Sequence, residues 1–187
     1  MVPVLSLWLP IVVAAVLVFV ASSIIHMVLS YHWSDWSPVP QEDRVMEELR
    51  QVGLEPGNYT LPHAGSMEAM KEPAYVEKRE KGPVALITVV PSGMGGMGKQ
   101  LSLWFLYSLV VGIFVAYIAG RALGPGADYL QVFRFTGSAA FLAYAVGGWQ
   151  ESIWWGRKWG NTLKNTIDGL LYALVTAGAF GWLWPGM

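Results

Sequence analysis

The sequence contains no cysteine, and few of its side chains carry a charge. The absence of cysteine excludes disulfides, thiolate catalysis and cysteine-ligated zinc or iron–sulfur sites. Charged residues make up 13% of the 187 residues, whereas an average soluble domain has about 25%. The net charge of −1 creates no basic field of the kind that attracts nucleic acid, so we expect no nucleic-acid partner.

Apolar residues take the place of the missing charges: 54% of the chain is hydrophobic, and the mean hydropathy is +0.42. A helix needs about 20 apolar residues to cross a bilayer. Four stretches meet or approach this length, at 5–29, 101–120, 129–155 and 167–184. The first is uncharged and too long for the core of a signal peptide. The sequence therefore predicts an all-α membrane protein, a bundle of four transmembrane helices.

The polar residues between the first two spans predict a small α+β loop region. Residues 41–52 carry one apolar stripe at helical spacing, and Gly53 follows as a stop signal. Residues 59–61 and 84–90 are rich in β-prone side chains, and a charged helical stretch at 75–81 separates them. The predicted organisation is a first span at 1–30, a loop region at 31–99, and three further spans at 100–187.

Lysine and arginine predict the orientation of the chain, because cytoplasmic loops are enriched in both. With four spans, 31–99 and 156–166 lie on one side of the membrane. This side holds ten of the 12 basic residues: Arg44, Arg50, Lys71, Lys78, Arg79, Lys81, Lys99, Arg157, Lys158 and Lys164. We therefore expect a bacterial inner-membrane protein with a cytoplasmic loop at 31–99 and periplasmic termini. Tryptophan and tyrosine near the span ends are typical of contact with membrane lipids at the headgroup level.

Small residues recur at every fourth position in three of the predicted spans. Such faces allow the backbones of neighbouring helices in lipid to approach closely. They predict helix packing, either inside this bundle or against helices of other integral membrane subunits. The residues are Gly112, Ala116 and Gly120; Ala139, Ala143 and Gly147; and Gly169, Ala173, Ala177 and Gly181.

Four polar residues lie near span ends: His26, Arg134, Glu151 and Asp168. Ionisable residues at membrane depth are candidates for function, but positions near span ends also suit anchoring at the interface or a hydrogen bond to a neighbouring helix. Axial ligation of a haem or chlorin by His26 is a chemical alternative. The sequence offers no dense group of ligands. We therefore predict no catalytic residue, no metal site and no cofactor.

A glycine-rich segment at 93–100, GMGGMGKQ, fits the spacing of a phosphate-binding loop. That motif needs serine or threonine after the lysine to hold magnesium, and Gln100 occupies the position. The following helix is also a predicted membrane span rather than part of a βαβ unit. The segment is therefore interpreted as a flexible entry to the second span rather than a nucleotide site.

Several short segments carry a resemblance that covers most of the chain. They are YHWSDW (31–36), MGKQLSLWF (97–105), AYIAG (116–120), PGADY (125–129), SIW (152–154), KNTIDG (164–169) and FGWLWP (180–185). In these segments the chain resembles an uncharacterised family of small bacterial inner-membrane proteins. The resemblance implies four spans and placement in the inner membrane, and it implies no activity.

These observations predict a non-catalytic accessory or structural subunit of a larger bacterial membrane complex. A respiratory or a photosynthetic complex is a candidate. A small transporter or channel is one alternative, which would need a polar path through the membrane. A membrane-embedded enzyme acting on lipid headgroups is another, with Lys99, Arg157 or Lys158 as its cationic groups.

Overall fold

The computed structural model of the chain describes residues 1–93 and 95–186. These residues form two compact units, which we call the helical unit (1–36 and 96–186) and the loop unit (37–93 and 95). The structure is mostly helical and includes one small two-stranded sheet. Met94, inside the glycine-rich segment, lies outside the described residues. Residues 31–36, which the sequence predicts to lie in the loop region, belong to the helical unit.

Two helices of the helical unit are long and apolar enough to cross a membrane. The first covers Val4–Val28: a 3-10 turn, Val4–Leu7, leads into α1, Trp8–Ser23, and a π-helical turn, Ile24–Val28, follows it. Neither α1 nor its flanking turns contains Asp, Glu, Lys or Arg. The second, α4, covers Gly98–Ala122. Each of the two helices has 25 residues, which corresponds to about 37 Å at 1.5 Å per residue.

The predicted third span at 129–155 is divided in the structure. Helix α5 covers Tyr129–Tyr144, a 3-10 turn covers Val146–Gly148, and the short helix α6 covers Trp149–Trp155. The break falls at two adjacent glycines, each of which costs a helix interior about 1 kcal/mol relative to alanine. Helix α7 covers Trp159–Trp182 and therefore begins well before the predicted start at 167.

The four long helices α1, α4, α5 and α7 pack side by side around an apolar core. Helix α7 packs against both α5 and α1, and α4 packs against α1 and α5. The largest fully buried apolar side chains include Leu7, Val18, Val115, Val132 and Phe180. The core therefore draws on all four helices.

The small residues of the helices lie at different depths. The buried ones are Gly112, Ala116, Gly120, Gly169, Ala173 and Ala177. A Cβ at Gly169 would lie 2.8 Å from the Cβ of Ala145, and one at Gly112 would lie 3.1 Å from the Cγ2 of Ile11. Gly181 lies against the ring of Tyr129, Ala139 is half-buried, and Ala143 and Gly147 are exposed.

The loop unit contains α2 (Glu42–Val52), α3 (Pro73–Lys81) and a 3-10 turn (Ala69–Lys71). Strands β1 (Gly57–Leu61) and β2 (Ala85–Val89) pair antiparallel, with Tyr59 opposite Ile87 at the centre. The helix predicted at 41–52 and the two predicted strands are therefore confirmed. None of the described residues of this unit is fully buried, so it has no apolar core of its own.

Candidate functional site

A group of polar side chains connects the segment after the first apolar helix to α7. The chain leaves that helix at Val28 and enters a 3-10 turn, Tyr31–Asp35. The turn lies beside the first half of α7. There, Lys164 and Asp168 are four residues apart and share one face of the helix. We call the following six residues the polar cluster: His26, Tyr31, His32, Asp35, Lys164 and Asp168.

His32 is at the centre of the polar cluster. Its Nδ1 lies 2.7 Å from Oδ2 of Asp35, and its Nε2 lies 2.8 Å from Oδ2 of Asp168. The ring also contacts two others in tilted geometry, with centroid distances of 4.1 Å to Tyr31 and 4.4 Å to His26. The side chain is 11% exposed. Two carboxylates and two rings therefore determine the orientation of the imidazole.

Lys164 holds the turn against α7. Its Nζ donates to Oδ1 of Asp35 at 2.7 Å, to Oγ of Ser34 at 2.8 Å and to the backbone oxygen of Tyr31 at 2.6 Å. These bonds use all three donors of the ammonium group. Asn161, one turn earlier, donates to the backbone oxygen of Asp35 at 3.0 Å. Helix α7 thus positions both the backbone and the side chains of the turn.

The two carboxylates of the polar cluster are buried and balanced by cationic or donor groups. Asp168 is 2% exposed and accepts hydrogen bonds from the Tyr31 hydroxyl and from His32. Burial alone would raise the pKa of Asp35, but hydrogen bonds from His32 and Lys164 hold that pKa below its ordinary value. Burial and the hydrogen bond to Asp168 raise the pKa of Tyr31, so its hydroxyl remains a donor.

His26 is the member of the polar cluster that lies at the end of the first apolar helix. Its Nε2 lies 3.3 Å from the hydroxyl of Tyr172 on α7, and its side chain is exposed. His26, His32 and Asp168 each offer one ligand atom, and the three atoms lie within 4.8 Å of one another. Two imidazole nitrogens and one carboxylate oxygen are a donor set that suits divalent transition metals.

The structure brings two of the four predicted polar residues together and leaves the other two outside the polar cluster. His26 and Asp168 lie in it, whereas Arg134 and Glu151 are exposed. Asp168 contacts Tyr31 and His32, and Lys164, its neighbour one turn away, pairs with Asp35 instead.

The sequence does not reveal this cluster, because its members are far apart in the chain. His32 and Asp168 are separated by 136 residues. Two local spacings were visible: His32 and Asp35 at i,i+3, and Lys164 and Asp168 at i,i+4. Neither spacing alone distinguishes a site from an ordinary polar turn or helix face. The third histidine, His63, lines a cleft in the loop unit.

Comparison with protein family models, with curated proteins and with solved structures gives no match to this chain. The resemblance drawn from the short segments therefore stays a prediction.

Proposed function

We propose that the chain is a four-span protein of the bacterial inner membrane and works as a non-catalytic accessory subunit of a larger membrane complex. We assign two of the four spans to the apolar helices Val4–Val28 and Gly98–Ala122. We assign the third span to α5 together with α6 beyond its break, and the fourth to α7. Helix α5 packs against α4, and α7 packs against α1. Helix α7 has 24 residues, about 36 Å, and is long enough to cross the roughly 30 Å hydrocarbon layer.

The observation that carries the subunit role is the closed interior of the helical unit. Four of its buried hydroxyls bond to backbone oxygens of their own helices: Ser22 to Phe19, Ser108 to Trp104, Thr136 to Val132 and Thr176 to Tyr172. Two others, Ser152 and Thr162, bond to each other. Among the described residues, no buried side-chain nitrogen or oxygen lacks a hydrogen-bond partner.

A transporter needs polar groups that are free to contact a solute or water along a path. In the helical unit, the described buried polar side chains instead have hydrogen-bond partners within the chain. Leu, Val, Ala and Phe side chains fill much of the remaining interior. The outer faces of the helices also carry large apolar side chains, among them Leu106, Phe114 and Leu142. These observations favour a protein that acts through its contacts with lipid and other helices.

One helix face offers a place to test this role. Ala143 and Gly147 of the predicted third span are exposed, although small residues in lipid are typical of close helix contacts. The tagged chain, extracted from its native membrane in mild detergent, should co-migrate and co-purify with companion chains in a fixed ratio.

The variant Ala143→Leu should keep the chain folded and weaken that association, because the larger side chain blocks a close approach. Leu142→Ile, a neighbouring change of equal volume, should leave it intact. A wild-type chain that runs alone, or an Ala143→Leu variant that associates as well as Leu142→Ile, would contradict the proposal.

A further inference from the structure

We propose that His26, His32 and Asp168 bind a divalent first-row transition-metal ion at the end of the first apolar helix. Their ligand atoms lie within 4.8 Å of one another. The inference concerns the polar cluster alone and holds whether or not the chain serves as a subunit of a complex.

His32 and Asp168 already present two ligand atoms to each other. Nε2 of His32 lies 2.8 Å from Oδ2 of Asp168, and a proton on Nε2 makes this contact a hydrogen bond. A divalent ion would displace that proton to solvent and take both atoms as ligands.

Asp35 supplies the orientation that a metal-binding histidine requires. Metal-ligating histidines usually donate their other ring N–H to a carboxylate or carbonyl, which orients the ring and strengthens it as a ligand. Nδ1 of His32 lies 2.7 Å from Oδ2 of Asp35, and the other oxygen of Asp35 accepts from Lys164 at 2.7 Å. Tyr31 supports Asp168 in the same way by donating to its Oδ1. Two of the three ligands thus have an outer layer of fixed partners.

His26 favours a metal over a shared proton. A proton between His32 and Asp168 needs no further nitrogen, yet a second imidazole lies beside His32 with a ring-centroid distance of 4.4 Å. In a tetrahedral site with bonds of about 2.0–2.1 Å, ligand atoms lie roughly 3.3 Å apart. His26 is exposed and has one long contact, 3.3 Å to Tyr172. Of the three ligands, His26 therefore has the side chain that is freest to move toward the other two.

The donor set selects the class of metal. Two imidazoles and one carboxylate suit zinc, iron and their first-row neighbours, whereas magnesium and calcium prefer sites made of oxygen alone. Three protein ligands leave at least one coordination position for water or another ligand. Because the exposed His26 forms one side of the site, that position is reached from outside the bundle.

Cobalt binding to the full-length protein tests the proposal. The chain has no cysteine, so no thiolate can compete for the ion. Protein purified in mild detergent is treated with a chelator, desalted and titrated with Co²⁺ while visible absorption is recorded, and the bound metal is counted by elemental analysis. We expect one Co²⁺ per chain, displaced by Zn²⁺.

Two of the three histidines of the chain provide a matched pair of variants. His26→Ala should weaken Co²⁺ binding at least tenfold, whereas His63→Ala, in the loop unit, should bind as the wild type does. Asp35→Asn should keep the stoichiometry and weaken the affinity about 10- to 100-fold, as loss of an outer partner does at other metal sites. His26 is exposed, so its variant is expected to fold, which circular dichroism and gel filtration will check. Folded wild-type protein that binds no Co²⁺, or equal binding by His26→Ala and His63→Ala, would overturn the proposal.

Discussion

The close approach of Gly169 on α7 to Ala145, the residue after α5, allows a sharp test of the helix packing. A Cβ at Gly169 would lie 2.8 Å from the Cβ and 2.9 Å from the Cα of Ala145. Since backbone atoms are involved, a side-chain rotation cannot relieve the clash. Gly169→Ala should therefore force the two segments apart, and overpacking of this kind costs about 1–3 kcal/mol.

Gly178 on the same helix is the matched control, because a Cβ there meets no atom within 4 Å. Replacing a helical glycine by alanine also favours the helix by about 1 kcal/mol. This gain applies to both variants and cancels when they are compared. The difference in stability between Gly169→Ala and Gly178→Ala should thus equal the overpacking energy alone.

Thermal unfolding in one detergent, at one scan rate, measures the difference. For a chain of this size, 1 kcal/mol corresponds to about 2–4 °C in Tm. Gly169→Ala should therefore melt about 2–12 °C below Gly178→Ala. If Gly169→Ala melts at or above the temperature of Gly178→Ala, the close contact between α7 and Ala145 is wrong.

Two further predictions concern the polar cluster and the orientation of the chain. Lys164→Met removes a donor from the buried carboxylate of Asp35 and should destabilise the protein by about 1–3 kcal/mol. Lys158 is exposed, so Lys158→Met should change the stability by less than about 0.5 kcal/mol. Equal melting temperatures of the two variants would contradict the role given to Lys164. Because the chain has no native cysteine, Gln51→Cys and Gly186→Cys each introduce a single thiol. In intact spheroplasts, an impermeant thiol reagent should label the Gly186→Cys protein and leave the Gln51→Cys protein unlabelled, and the reverse pattern would refute periplasmic termini.

Much of the local structure was predictable from the residues alone. The uncharged stretch at 5–29 and the apolar stretch at 101–120 correspond to the two helices of membrane-spanning length. In the loop unit, the apolar stripe at 41–52 and the β-prone runs gave the right element types. These features depend on side-chain periodicity and on turn residues, which act over a few neighbours in the chain.

The end of α5 shows where local signals were insufficient. The apolar character of 129–155 predicted one continuous helix, but the chain breaks at Val146–Gly148. Hydropathy does not register the low helix propensity of two adjacent glycines. Ala145, beside the break, is the residue that Gly169 packs against.

The polar cluster required the tertiary structure. Sequence alone marked His26 and Asp168 as single polar residues near span ends, each compatible with interface anchoring. The structure brings Asp168 to His32 across 136 residues, because α7 packs against α1 and lies beside the turn that follows the first apolar helix. Hydrogen bonding and metal ligation depend on distances of a few ångströms between side chains. Such distances between remote residues arise only when the helices pack. Composition and spacing therefore determined the helices and strands, and packing alone determined the candidate site.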